Sequence, residues 1–331
     1  MIGASTGGVE VLRDLSSRLP GDLPAAVFVV VHFPGDSPSV LPRILDRAGP
    51  LHAVHPEDGE KIRTGHIYVA PPNLHLLVVP GRVCLGAGPK ENRHRPSVDA
   101  LFRSAAVAYG QRVIGVVLTG ALNDGTAGLA AVKRRGGVAV VQNPEDALFP
   151  SMPQSALRYV EADHVVTLDE LPSVLSDLVR EPRKFTEEIP VPEDMEAEAR
   201  VARGEPNPPE DIEKFGTPSA FSCPECHGPL WEIQDGNLSR FRCRVGHAFT
   251  AESVLAEQSE TIEDALYVAL NVLQENAGMS ERLAGNARDR GLKGAAARFD
   301  ERARNAREKA AVIRRTLSQG TPDTEPPSET A

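Results

Sequence analysis

Three short stretches carry side chains that could do chemistry together. Gly3-Ala4-Ser5-Thr6-Gly7-Gly8 stands directly before a helical pattern and contains Gly3-x-Ser5-x-Gly7, the spacing of a nucleophile elbow. In such an elbow a sharp strand-to-helix turn exposes a hydroxyl, and the helix start directs amide hydrogens at a developing oxyanion. A glycine turn before a helix also serves phosphate binding, so the spacing alone leaves both chemistries open. His32 follows the apolar run 25–31, where a core strand would emerge. Asp124 lies in Leu118-Thr119-Gly120-Ala121-Leu122-Asn123-Asp124-Gly125, after another apolar run. A serine needs a base to take its proton, and that base needs a carboxylate to fix its tautomer. Ser5, His32 and Asp124 on one sheet edge would supply all three. Pattern alone does not prefer Asp124 to Asp36, Asp99 or Asp146 as the acid.

A second constellation lies far downstream. Cys223-Pro224-Glu225-Cys226 is followed, after 16 residues, by Cys243-Arg244-Val245-Gly246-His247. Two ligand pairs, each on a tight turn, have the spacing of a zinc ribbon, with strands at 230–233 and 238–242 closing the tetrahedron. The expected ligands are Cys223, Cys226, Cys243 and His247; His227, adjacent to Cys226, would disturb the turn. Three thiolates and an imidazole fill a tetrahedral shell, so the zinc would be structural and catalysis would need no cofactor. Cys84 alone lies outside the group, which argues against a disulfide scaffold.

The elements that must position these groups follow from periodicity. Apolar β-branched runs at 26–31, 67–70, 113–118, 138–141 and 165–167 alternate with helical patterns at 9–18, 97–109, 127–135, 152–160 and 170–179. Strands apolar along their whole length, separated by helices, imply an α/β domain with a doubly wound, mostly parallel sheet. Two alternating runs divided by Pro80-Gly81 predict a β-hairpin over 75–85. Beyond residue 251 apolar residues step by four and three through Ile262, Leu266, Ala269 and Leu273, and again from Leu292 to Leu317. Two antiparallel helices are expected, the first acidic (Glu252, Glu257, Glu260, Glu263, Asp264) and the second basic (Arg298, Arg302, Arg304, Arg307, Arg314, Arg315).

Composition sets the outer bounds. The chain has 331 residues, 46 acids against 36 bases and only 5% aromatics, which disfavours a general nucleic-acid binder. No run reaches the roughly 18 apolar residues of a membrane span and no secretory signal is present, so a cytoplasmic protein without membrane insertion is expected. Residues 181–220 hold 5 bases and 11 acids among repeated prolines and predict an acidic, mostly disordered linker over 183–218. The expected organisation is 1–182 catalytic, 183–218 linker, 219–250 zinc-ribbon-like, 251–319 helical hairpin and 320–331 disordered tail.

Six motifs, in order, give residues 1–180 a specific resemblance. They are the elbow within 2–12, Val29-Val30-Val31-His32-Phe33, the stretch 67–73, Arg95-Pro96-Ser97-Val98-Asp99, the Asp124 loop and Pro150-Ser151-Met152-Pro153. Together they resemble the catalytic domain of the CheB chemotaxis protein-glutamate methylesterases. The resemblance implies a serine hydrolase that removes methyl groups from glutamate γ-methyl esters of chemoreceptors and can deamidate receptor glutamines. It places nucleophile, base and acid on Ser5, His32 and Asp124, and implies methylated chemoreceptor cytoplasmic helices as partners, with no nucleic acid. Other signalling proteins could dock on the C-terminal helices.

Three departures stand out. Family members carry a receiver domain before the elbow where this sequence has only Met1 and Ile2, so different regulation, and a short first strand or an upstream start, are expected. The family's usual Thr-Gly-Met-Gly reads Thr119-Gly120-Ala121-Leu122 here. The C-terminal extension resembles that of some CheB-like proteins. The competing reading is a non-catalytic scaffold in which the glycine loop holds an anionic group; labelling by a fluorophosphonate separates the two.

Overall fold

A computed structural model describes residues 1–32, 39–181, 189–206 and 208–318. They form two compact units, residues 1–253 and a helical unit from Val254. The first unit opens with β1 (Ile2–Ala4), α1 (Gly8–Arg18), β2 (Val27–Val31), α2 (Leu41–Ala48), β3 (His52–Val54) and β4 (His66–Val69). A two-stranded hairpin, β5 (His75–Val79) and β6 (Arg82–Gly86), precedes α3 (Val98–Tyr109). The chain continues through β7 (Ile114–Val117), α4 (Thr126–Arg134), β8 (Val138–Gln142), α5 (Ser151–Tyr159), β9 (His164–Val166) and α6 (Leu171–Arg180).

Seven strands pair in parallel in the order β3-β4-β2-β1-β7-β8-β9. The sheet is covered on both faces, which is why its strands read as unbroken apolar runs. Along β2, Val27, Val29 and Val31 face a cluster with Leu12, Leu15, Leu41, Leu45 and Leu171. Phe28 and Val30 face Leu101, Phe102, Leu129 and Met152 on the other side. The chain runs outward from β1 in one direction and later returns to β7 on its other side. The strand order therefore reverses between β1 and β7, the place where open α/β sheets present a crevice at their C-terminal ends.

The expected α/β fold is present, with β3 and α2 as elements that periodicity did not pick out. β3 is only three residues, His-Ala-Val, and α2 carries Pro42 in its first turn, where proline is tolerated.

The acidic segment differs from expectation. Residues 182–188 and 207 lie outside the described residues, as does the tail from 319. The rest of the expected linker folds into α7 (Glu193–Ala202), α8 (Pro209–Phe215) and the first strand of a four-stranded antiparallel sheet: β10 (Thr217–Ser222), β11 (Pro229–Asp235), β12 (Leu238–Cys243) and β13 (Ala248–Thr250). The reason lies in α7. Its acids suggest a solvated stretch, yet Met195 joins the core beside α3, and Ala202 packs against Leu77 and Ala100. Glu198 is buried, accepting hydrogen bonds from Arg103 (2.9 Å), Arg240 (2.9 Å) and Arg242 (3.0 Å). Glu91 closes the network against Arg103 and Arg242. α7 thus joins the α/β sheet to the small sheet, and residues 219–250 are not held at the end of a free tether.

Burial works against the Glu198 charge, but Arg240, Arg242 and Arg103 outweigh it and hold the carboxyl well below its ordinary value. Removing one member of such a network leaves buried charge uncompensated. Glu198→Ala should therefore cost about 3–5 kcal/mol in urea unfolding. A folded-state pKa below the unfolded one contributes stability that is full above the unfolded pKa and is lost as pH falls through the folded one. Wild type should accordingly lose its advantage over Glu198→Ala in acid; a gap independent of pH would contradict this assignment.

The second unit contains α9 (Ala251–Asp289) from Val254 onward and α10 (Lys293–Ser318), antiparallel as expected. Its seam is small: Ala277, Ala284 and Ala287 on one helix, and Ala296, Ala303, Ala306 and Ala310 on the other, are buried. Arg288 pairs with Asp300 at 2.5 Å, and Arg307 pairs with Glu281. That register differs from the expected acid-to-base pairing, because it leaves Glu252 to Asp264 N-terminal to the stretch that α10 spans. Leu292, expected in the seam, is exposed, and so is Ile262.

Candidate active site

Ser5, His32 and Asp124 leave the C-terminal ends of three adjacent central strands, β1, β2 and β7. The sequence separates them by up to 119 positions; the sheet order brings them together.

The elbow is built from backbone bonds. The Ser5 amide donates to the Thr119 carbonyl at 3.0 Å, and the Gly8 amide donates to the Ser5 carbonyl at 2.9 Å, closing the turn into α1. Gly7 caps the helix at φ 77°, a left-handed conformation that glycine adopts without steric cost. On the other side of Ser5, a Cβ on Gly120 would stand 2.8 Å from the Ser5 Cβ and 2.1 Å from the Met152 sulfur. The absent side chain at 120 is what admits the nucleophile. With the Ser5 and Gly8 amides engaged, those of Thr6 and Gly7 are the turn's candidate oxyanion donors.

His32 Nδ1 lies 3.1 Å from Ser5 Oγ, and its Nε2 lies 2.8 Å from Asp124 Oδ2. The imidazole side chain is 6% exposed and the carboxylate side chain 2%. Asp124, as a carboxylate, accepts the proton on Nε2, which leaves the Nδ1 lone pair toward the hydroxyl. The two nitrogens exchange the roles they have in serine proteases, while the relay of hydroxyl, base and acid is the same. His94 stacks on one face of the His32 ring, with centroids 3.6 Å apart and planes within 8°. Burial, together with the adjacent His32, pushes the His94 pKa down to about 3, so at neutral pH it is an uncharged plate that limits tilting of the base.

Asp124 is supported on both oxygens. Oδ2 also accepts the Val98 amide at 2.7 Å, and Oδ1 accepts the Ser97 hydroxyl at 2.9 Å, the Asp99 amide at 3.2 Å and Asn92 Nδ2 at 3.2 Å. Burial disfavours the charge, but the hydrogen bond and charge of His32 and the Val98 amide hold this carboxyl below the ordinary range. Asp99, one of the alternative acids, has a different task. Its Oδ1 accepts the Gly125 and Gly128 amides at 2.9 and 2.6 Å, pinning the Asp124 loop and the start of α4 to α3. Burial and the charge of Asp124 push its pKa up. Asp146 bonds instead to Gln142 and the Leu168 amide, and Asp36 lies outside the described residues. Leu122, where the resemblance would place glycine, adopts φ 60°, a conformation that costs an L-residue about 1–2 kcal/mol.

Asn92, His94 and Ser97 are site residues that the sequence reading did not assign. Their signal was faint: Ser97 and Asp99 stand in a quoted motif, but nothing in its spacing tells a loop residue from a support of the acid.

The cysteine pairs converge in the small sheet. The Cys223 amide donates to the Gly228 carbonyl, and the Cys243 amide to the His247 carbonyl, forming two tight turns. The ligand atoms of Cys223, Cys226, Cys243 and His247 lie within 4.8 Å of one another. Cys226 and Cys243 sulfurs are 3.6 Å apart, and His247 Nδ1 is 3.7 Å from Cys223 Sγ and 3.6 Å from Cys243 Sγ. A tetrahedron with metal–sulfur bonds of ~2.3 Å has edges near ~3.7 Å, so the donor set fits a four-coordinate ion.

The CheB methylesterase family model matches residues 1–175. The chain is 37% identical over 172 residues to a putative protein-glutamate methylesterase/protein-glutamine glutaminase of Leptospira interrogans, covering 52% of this chain and 89% of that protein. It is 39% identical over 176 residues to the protein-glutamate methylesterase/protein-glutamine glutaminase of Thiobacillus denitrificans, covering 52% of this chain but only 49% of that relative. The crystal structure of the Thermotoga maritima CheB methylesterase catalytic domain is similar with a TM-score of 0.51 and 35% identity, over 54% of this chain and 96% of that one.

Proposed function

Since the chain belongs to the CheB methylesterase family, we propose that it hydrolyses glutamate γ-methyl esters, and deamidates glutamines, on chemoreceptor cytoplasmic helices through a Ser5 acyl-enzyme. The observation that carries this reading is the continuous path from Ser5 Oγ through His32 to Asp124 at 3.1 and 2.8 Å. Ser5 Oγ attacks the γ-carbonyl carbon as His32 Nδ1 takes its proton. Amides of Thr6 and Gly7 receive the oxyanion. The tetrahedral intermediate collapses, His32 returns the proton to the departing methoxide, and methanol leaves. Water then attacks the glutamyl ester on Ser5, with His32 again as base, releasing glutamate and the free hydroxyl. On a glutamine the same sequence releases ammonia. Asp124 holds the imidazole tautomer and supports the imidazolium without taking its proton.

Catalysis needs no cofactor in this scheme. Cys223, Cys226, Cys243 and His247 would hold one zinc ion in a filled shell, where it would stabilise the small sheet. Among the described residues no helix is long and apolar enough to cross a membrane, and the reading assigns the enzyme to the cytoplasm, where receptor helices are reached. The α9–α10 hairpin is a candidate surface for other signalling proteins.

The test is methanol release from methylated receptor membranes by the full chain. Release that disappears on prior fluorophosphonate labelling of Ser5 is expected; absence of both release and labelling would leave the anion-binding alternative standing.

A further inference from the structure

The small sheet reaches the candidate triad through two asparagines. β13 runs beside residues 90–92: the Ala248 amide donates to the Lys90 carbonyl at 3.3 Å, and the Asn92 amide to the Ala248 carbonyl at 2.8 Å. Two positions on, the Thr250 amide donates to Asn92 Oδ1 at 3.1 Å. This contact decides the orientation of the Asn92 side chain. A backbone N–H only donates, so the atom facing it is the oxygen, and Nδ2 is left to donate to Asp99 at 2.7 Å and to Asp124 at 3.2 Å. Turned over, the amide would set its NH₂ against the Thr250 N–H and its oxygen against the Asp124 carboxylate.

The second asparagine precedes the acid itself. Asn123 Nδ2 donates to Thr250 Oγ1 at 2.5 Å and to Glu252 Oε2 at 3.1 Å, and its Oδ1 accepts the Ser253 hydroxyl at 2.9 Å. Tyr159 donates to the other Glu252 oxygen at 2.9 Å. Asn92, Asn123, Thr250 and Ser253 are all buried. A link built only for stability could use apolar contacts anywhere on the surface. This one ends on the carboxylate that orients His32 and on the residue beside it.

We propose that Asn92 is a positioning residue for Asp124, and that residues 248–253, acting through Asn92 and Asn123, hold the acid in register with His32. The catalytic competence of the α/β sheet is thereby coupled to docking of the C-terminal cysteine module. The inference rests on the reading of Ser5, His32 and Asp124 as the triad and adds a means of regulating it: a partner that drew β13 away from residues 90–92 would lower turnover without touching the cleft.

The experiment uses the full chain, with methyl-ester turnover and the rate of fluorophosphonate labelling as readouts. Asn92→Ala should lower kcat about 10- to 100-fold with KM within about 2-fold, as expected for misplacement of a catalytic group. Thr250→Val keeps the backbone donor and the side-chain volume but removes the hydroxyl that bonds Asn123 and, at the start of α9, Ser253; it should melt somewhat lower than wild type and, assayed well below that temperature, lower kcat several-fold. In an Asp124→Asn background both replacements should have little further effect, because groups that act as one unit are not additive. Full additivity, or a rise in KM at unchanged kcat, overturns the inference. Should Asn92→Ala fail to fold, Thr250→Val carries the same test. If Ser5→Ala retains turnover, the triad reading itself falls; if Ser5→Ala is inactive and both support variants match wild type, only the positioning role falls.

Discussion

Replacing Ser5 by alanine should lower kcat by about 10⁶-fold, and His32→Ala by a similar factor, because hydroxyl and base act as one unit. Asp124→Asn should cost about 10⁴-fold for a more particular reason. An asparagine nitrogen facing His32 Nε2 would be a donor. The ring would then carry its proton on Nδ1, the atom 3.1 Å from Ser5 Oγ, and could no longer accept the hydroxyl proton. The Ser5 variant should melt as wild type does, since Ser5 Oγ reaches His32 alone among its described hydrogen-bond partners; His32→Ala should melt lower, because it takes from the buried Asp124 carboxylate the imidazole that pairs with it. Turnover by Ser5→Ala within tenfold of wild type would end the assignment. Labelling of Asp124→Asn at the wild-type rate would remove the tautomer argument.

Chelation should unfold the β10–β13 sheet. A four-stranded sheet of this size has little core of its own, and a structural zinc contributes about 10–16 kcal/mol of apparent binding energy at neutral pH. Wild type should carry one zinc per chain and Cys223→Ser should lose tight binding. Trp231, the only tryptophan in the chain, is buried in β11 and reports on the event directly. Its emission should shift to the red on chelation and in Cys223→Ser. Because Arg242 of this sheet pairs with both Glu91 and Glu198, and Arg240 with Glu198, the α/β unit should also lose stability, an outcome that a tethered, independent module would not produce. Zinc retained by Cys223→Ser, or tryptophan emission unmoved by chelation, would refute a metal-held sheet.

Much of the molecule is local and was legible in the sequence. Whole-length apolar strands between helices specify a parallel sheet covered on two faces, because only there does every side chain of Val27–Val31 find apolar company. Glycines at 3 and 7 around Ser5 specify a tight turn into α1, and paired cysteines at 223, 226 and 243 specify two knuckles. The order of motifs placed the family. Tertiary structure decided what depends on partners remote in sequence. Only the strand order β2-β1-β7 selects Asp124 over Asp99 and Asp146, for all three stand near turns and share the same local signals. Only packing shows that Glu198, in a stretch whose composition reads as solvated, is buried among three arginines; formal charge counts acids, whereas a folded core neutralises them in pairs. The contacts of Asn92 and Asn123 with Thr250 and Ser253 span more than 120 positions and follow no periodicity. A hydrogen bond needs two groups at ~3 Å, and for groups so far apart along a chain that proximity exists only once the whole unit has folded.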